Sequence, residues 1–281
     1  MVSPLRPLRA LAVAVAVFAA ADLSASRNVV EAAAAKAARD DSGGLQEVRQ
    51  RVIQSILPGN ATSAQAAARQ LAAQLCPNGS WPDIDYHEFR RAGWPMVQHL
   101  VRVEQMAAAW RGSNASTPPV AGAAQAELLG NTTVALELWL NNDWKNPNWY
   151  DNEIGVPREM GRIGLLLAPD ALSAQDGAKM TEIMARADWK GRGTVQSPQW
   201  TGANLLDMLR IQIHRGLFTN DTALVAQAFT RSFADVVPHS QSGESIQVDH
   251  SFHQVNFHCS ARQCRPVYPS PDIRLPRSYS V

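Results

Sequence analysis

Before residue 240 the apolar residues of this chain recur at three- and four-residue steps, and no stretch alternates over enough positions to build a sheet. That pattern restricts the body to packed helices. Helical segments are predicted over 29–38, 45–57, 63–75, 96–110, 121–129, 133–140, 158–167, 173–187, 202–215 and 221–236. In the fourth of these, Met96, Leu100, Val103, Ala107 and Trp110 share one face. Pro58-Gly59-Asn60 ends the second segment, Ser173 can cap the eighth, and Gly216 is expected to end the ninth. The segments follow one another in pairs joined by polar loops, without a strict repeat. An α/α toroid and an irregular helical bundle both satisfy such an order.

Charge excludes some partners. The 281 residues carry a formal net charge of +1, so no whole-protein field draws in nucleic acid or a membrane. A polyanionic ligand would need a local basic cleft. Residues 1–26 read as a secretory signal: Arg6 and Arg9 precede an apolar run over 10–21, and small residues follow at Ser24, Ala25 and Ser26. That run is shorter than the ~20 residues a bilayer requires. The three cysteines, Cys76, Cys259 and Cys264, show neither metal spacing nor a disulfide framework. Glycosylation sequons at Asn60, Asn78, Asn114, Asn131 and Asn220 suit a secreted chain.

One loop does not fit a core-building role. Residues 144–157 bring together Trp144, Trp149 and Tyr150 with Asn146, Asn148 and Asn152, and apolar periodicity returns only after Pro157. Aromatic rings beside amides suit a sugar, because a ring covers the C–H face of a pyranose while amides bond its hydroxyls. The alternative is a buried loop whose rings plug the core and whose asparagines serve as turn residues. Pro157 fits the first turn of the helix that follows.

Asn148-Trp149-Tyr150-Asp151, then Glu153-Ile154-Gly155 and Pro157, resembles the Asn-Trp-aromatic-Asp-x-Glu-Ile-Gly-x-Pro signature of polysaccharide lyase family 8, which holds hyaluronate, chondroitin AC and xanthan lyases. A second resemblance is Thr201-Gly202-Ala203-Asn204, and a third runs over 246–254. The resemblance covers about 79–254 and is most specific in these three segments. The resemblance implies an all-α fold, an incomplete (α/α) toroid that is truncated here, spanning 27–254. It implies β-elimination of a uronic-acid-containing acidic polysaccharide such as hyaluronan, chondroitin or xanthan, with no metal or redox cofactor. Asn148, Trp149 and Tyr150 carry over as substrate-binding residues, and Trp144 lies outside the matched core.

Asn204 carries over as the catalytic amide. Eliminative cleavage removes the C5 proton of a uronate, which is acidic only once the adjacent carboxylate charge is neutralised. An amide near a helix N-terminus can do that. The alternative role for Asn204 is a helix cap.

The family's third segment ends in a catalytic histidine, with a tyrosine acid/base nine residues later. Val255 and Cys264 stand at those positions here. His253 is two residues early, a displacement of several ångströms, and is expected to lie at the surface or behind the site rather than to act as the base. The sequence after Gln254 departs from the family. Residues 255–281 are therefore expected to be a non-homologous, disordered tail, arising from a changed reading frame or an unspliced intron, and the chain as written is expected to be inactive. The whole reads as a secreted, monomeric lyase fragment that binds no nucleic acid and, once the signal is removed, no membrane. A non-catalytic glycan-binding module and an α/α-toroid glycosidase using Asp151 and Glu153 are the rival readings.

Overall fold

The computed structural model describes residues 42–112, 122–168, 171–191, 200–236, 245–246 and 252–253. The signal 1–26, the helix expected over 29–38, the sequon at Asn114 and the tail 255–281 lie outside the described residues. Helices α1 (Ser42–Ile56), α2 (Ala61–Ala73), α3 (Val97–Arg111) and α4 (Ala123–Asn142) come first. A π-helical turn, Asp151–Gly155, then runs directly into α5 (Val156–Leu167). Helices α6 (Ala174–Ala185), α7 (Gly202–Thr219) and α8 (Thr222–Asp235) complete the helical body. Two short strands, β1 (Ser245–Ile246) and β2 (Phe252–His253), pair antiparallel with Ile246 opposite Phe252.

Helix α5 is the hub. It packs against α3, α6, α7 and α1, and buries almost all of its surface, from Val156 to Leu167. Only Arg158 and Arg162, one turn apart, keep part of their side chains in solvent. The α5–α7 approach depends on small residues. A Cβ on Gly161 would lie 2.9 Å from the Cβ of His214, and one on Gly164 would lie 3.1 Å from the Phe218 ring.

Most predicted helices are present within a few residues. Ser173 caps α6 by accepting the Asp176 N–H at 3.1 Å, and Asp221 caps α8 by accepting that of Leu224 at 2.9 Å. Two boundaries differ. The predicted pieces 121–129 and 133–140 are one helix, α4, because Gly130 faces open space and Thr132 returns its hydroxyl to the Leu128 carbonyl at 2.7 Å. Gly216 does not end α7. The helix runs on to Thr219 and closes at Asn220, with φ of 58°. Gly216 serves close packing instead: a Cβ there would lie 2.6 Å from Val225 Cγ2 of α8.

The π turn follows from Pro157. That residue has no N–H to offer the Glu153 carbonyl, and its ring would crowd it. The backbone widens, and the Val156 N–H reaches the Asp151 carbonyl instead. Such turns recur at functional sites.

Candidate functional site

The loop between α4 and the π turn is built from asparagine amides. The Asn146 N–H donates to Asn152 Oδ1 at 2.8 Å, and Asn152 Nδ2 donates back to the Asn146 carbonyl at 2.7 Å. Asn146, buried, sends Nδ2 to the Arg90 carbonyl at 2.9 Å and accepts the Asn148 N–H at 2.7 Å. Asn148 Nδ2 donates to the Arg91 carbonyl at 3.1 Å, and its Oδ1 accepts the Tyr150 N–H at 3.2 Å. The loop is thereby clasped to the π turn on one side and to residues 90–91 on the other. Asn148, predicted to meet substrate, keeps one N–H and one lone pair for that role.

The three aromatics divide between two jobs. Trp144 is half-buried and packs on Tyr86, Trp139 and His99, with centroids 5.1, 5.4 and 6.5 Å away. It anchors the foot of the loop. His99 sits in the middle of this nest. Its Nε2 lies 2.8 Å from the Ala135 carbonyl, so that nitrogen carries the proton, and Nδ1 accepts the Tyr86 hydroxyl at 2.9 Å. Burial lowers its pKa to about 4, which keeps the ring neutral.

Trp149, by contrast, is 40% exposed. Its ring stands 5.2 Å from that of Trp200 and 6.0 Å, edge-on, from that of Tyr150. Trp200 directly precedes Thr201, the N-cap of α7. The platform thus joins the signature loop to the helix that carries Asn204. The sequence signal for Trp200 is its position directly before Thr201-Gly202-Ala203-Asn204.

Asn204 is the third residue of α7 and half-buried. The cap position belongs to Thr201, with φ of −140° and ψ of 167°, so the capping alternative does not describe Asn204. Its amide makes no hydrogen bond to any described residue. It stands in the first turn, where the helix dipole favours negative charge. A carboxylate brought there meets a free amide and a positive field together.

A charged cluster lies behind the site. Arg162 pairs with Glu104 at 2.6 Å and Arg158 with Glu159 at 3.1 Å. Burial, then the hydrogen bond that its protonated carboxyl gives to Glu159, raises the Glu104 pKa. Burial acts to lower the Arg158 pKa, but Glu159, Tyr150 and Asp207 hold it above the usual value. Asp151 is half-buried, its carboxylate folded over Gly155, where a Cβ would lie 3.2 Å from Oδ1; burial raises its pKa. Among the described residues no group of three or more His, Cys, Asp or Glu side chains could hold a metal ion. No helix among them is long and apolar enough to cross a membrane.

The family model for the N-terminal alpha-helical domain of polysaccharide lyase family 8 matches residues 43–259. Chondroitinase-AC of Pedobacter heparinus is 27% identical over 183 residues, covering 64% of this chain and 24% of that protein. A chondroitinase AC lyase solved with oligosaccharides superposes with a TM-score of 0.63 at 25% identity, covering 75% of this chain and 29% of its own. The chondroitin AC lyase of Streptomyces coelicolor A3, solved with chondroitin sulphate, gives 0.59 at 21% identity, covering 74% of this chain and 29% of its own. A Paenibacillus xanthan lyase gives 0.56 at 17%, covering 75% of this chain and 21% of its own; these last two show the fold alone. The chain spans about a quarter of the length of the curated relative it matches.

Proposed function

From a chain that belongs to polysaccharide lyase family 8 by its N-terminal helical domain, we propose a secreted protein that binds an acidic, uronate-containing polysaccharide across Trp149, Tyr150 and Trp200. The observation that carries the reading is the Trp149–Trp200 contact at 5.2 Å, which sets an exposed aromatic platform at the start of the Asn204 helix. A sugar ring lying on Trp149 would bring its neighbour's carboxylate towards the Asn204 amide. Asn148 would offer its remaining N–H to a hydroxyl.

In the elimination a base takes the C5 proton and the electron pair becomes the C4–C5 double bond. The C4–O bond breaks, and the leaving oxygen takes up a proton. The Asn204 amide would act on the first step. It donates to the carboxylate as charge moves onto it, with the α7 N-terminus adding to the field. The reaction needs no metal or redox cofactor.

Base and acid are another matter. The histidine and tyrosine positions of the resemblance hold Val255 and Cys264. We therefore take this chain to be inactive by itself, since losing positioned acid–base groups removes about 10²–10⁴ in rate. What remains is a monomeric polysaccharide-binding unit carrying a carboxylate-neutralising amide.

The test reads conjugated product by ultraviolet absorbance, on this chain and on a full-length version carrying the histidine and tyrosine. This chain should give none. In the full-length version Asn204→Ala should lower turnover by ~10²–10³, and Trp149→Ala should chiefly raise KM. Unsaturated uronate from this chain, or unchanged turnover in Asn204→Ala, contradicts the reading.

A further inference from the structure

Residues 88–94 form a strap beside the signature loop, held almost wholly by backbone. The Trp94 indole donates to the Glu88 carbonyl at 2.9 Å, Asn146 to that of Arg90 at 2.9 Å, and Asn148 to that of Arg91 at 3.1 Å. Gly93, with φ of 63°, turns the strap towards α3. An open cavity of about 340 Å³ lies where Gly93, Trp94, Pro95 and Gln98 face Asp151 of the π turn.

Because the anchors are carbonyls, the side chains of 89–91 are not needed to hold the strap. Phe89 is 48% exposed, more than any other large apolar residue among those described. Arg90 is neutralised by its neighbour: its guanidinium lies 3.0 Å from Glu88 Oε2, and its N–H bonds Oε1 at 2.8 Å. Arg91 is exposed and makes no ion pair or side-chain hydrogen bond to any described residue. An uncompensated cation and an exposed ring therefore stand two residues apart on a strap that Asn148, the residue before Trp149, holds by the Arg91 carbonyl.

We infer that this strap is a second wall of the binding groove, where Arg91 takes an anionic group of an acidic polysaccharide and Phe89 covers the ring that bears it. The inference rests on the proposed polysaccharide reading and extends it by one subsite. Arg suits the task because its planar donors match a carboxylate or a sulfate. An aromatic face beside it suits the C–H face of a pyranose, as at Trp149. This wall also explains why the loop's amides clasp residues 90–91: they fix the strap's distance from the platform.

The experiment is calorimetric titration of the whole chain with hyaluronan and with chondroitin sulfate oligosaccharides, at two salt concentrations. Circular dichroism checks that each variant keeps its helices. Arg91→Ala should weaken binding about fivefold and flatten the salt dependence, because one screened charge contact is lost. Phe89→Ala should weaken it about as much. Arg90→Ala, whose charge Glu88 already answers, should stay within about twofold. Loss on both ligands identifies the uronate carboxylate as the group bound, and loss on the sulfated one alone identifies the sulfate. Binding that Trp149→Ala abolishes but Arg91→Ala leaves unchanged overturns this inference alone, as does equal loss in Arg90→Ala and Arg91→Ala. No binding by the unaltered chain overturns the underlying reading, and this one with it.

Discussion

Replacing Asn146 by aspartate should unclasp the site without changing its shape. The two side chains have the same outline, so no cavity forms. Oδ1 still accepts the Asn148 N–H, now 2.7 Å away. The loss is confined to the other arm, where Nδ2 donates to the Arg90 carbonyl at 2.9 Å. An oxygen there sets acceptor against acceptor at a residue only 4% exposed. The missing bond costs about 1 kcal/mol, and an unpaired buried oxygen bearing charge a further ~2 kcal/mol. The sum is about 3 kcal/mol at neutral pH.

A protonated carboxyl can donate to the Arg90 carbonyl again, so the fold raises this new group's pKa above its unfolded value. Between the unfolded value and that raised one, the folded state binds more protons than the unfolded state. The lost stability therefore returns as pH falls through the interval and is fully absent only above it. Urea unfolding followed by circular dichroism, on variant and parent at each pH, measures the difference. A gap of about 3 kcal/mol at pH 7.5 should shrink at pH 5, and binding of acidic oligosaccharide should weaken at pH 7.5. Equal stability at pH 7.5, or a gap independent of pH, refutes the clasp.

Two further predictions follow from buried groups. Burial lowers the pKa of both His99 and His214 to about 4, against 6.5 in the unfolded chain. Between those values the unfolded state holds the extra protons, so stability should be full above pH 6.5 and fall by about 2 kcal/mol per histidine from pH 7 to 5. The raised Glu104 carboxyl acts in the opposite sense, so urea melts belong in a Glu104→Gln background, and a flat profile there would contradict the neutral, buried histidines. Gly161→Ala should destabilise by about 2 kcal/mol despite better helix propensity, because its Cβ would lie 2.9 Å from that of His214; an unchanged melting temperature would show that α5 and α7 can move apart.

Helices were legible wherever an apolar face repeated, as in α3 and its cap residue, where Met96, Leu100, Val103 and Trp110 are buried as their spacing requires. Gly216 misled because glycine ends helices and also lets them touch, and only the position of Val225 distinguishes the two. The signature loop was legible as chemistry but not as geometry. Nothing in its spacing separates Trp144, turned into the His99 nest, from Trp149, turned outward. The asparagines read as sugar-binding amides, yet most of their donors and acceptors hold backbone. Trp200 and Arg91 are distant from the loop in sequence, and only the folded chain brings them beside it.

The most direct test of the central claim is a tryptophan-fluorescence titration of this chain with uronate oligosaccharides, run in parallel on Trp149→Ala, Trp200→Ala and Trp144→Phe. Saturable quenching is expected in the unaltered chain and in Trp144→Phe, with binding lost or sharply weakened in the other two. Neutral oligosaccharides should not compete. Binding that survives removal of both Trp149 and Trp200, or that neutral oligosaccharides displace equally well, would contradict an acidic-polysaccharide site built on that platform.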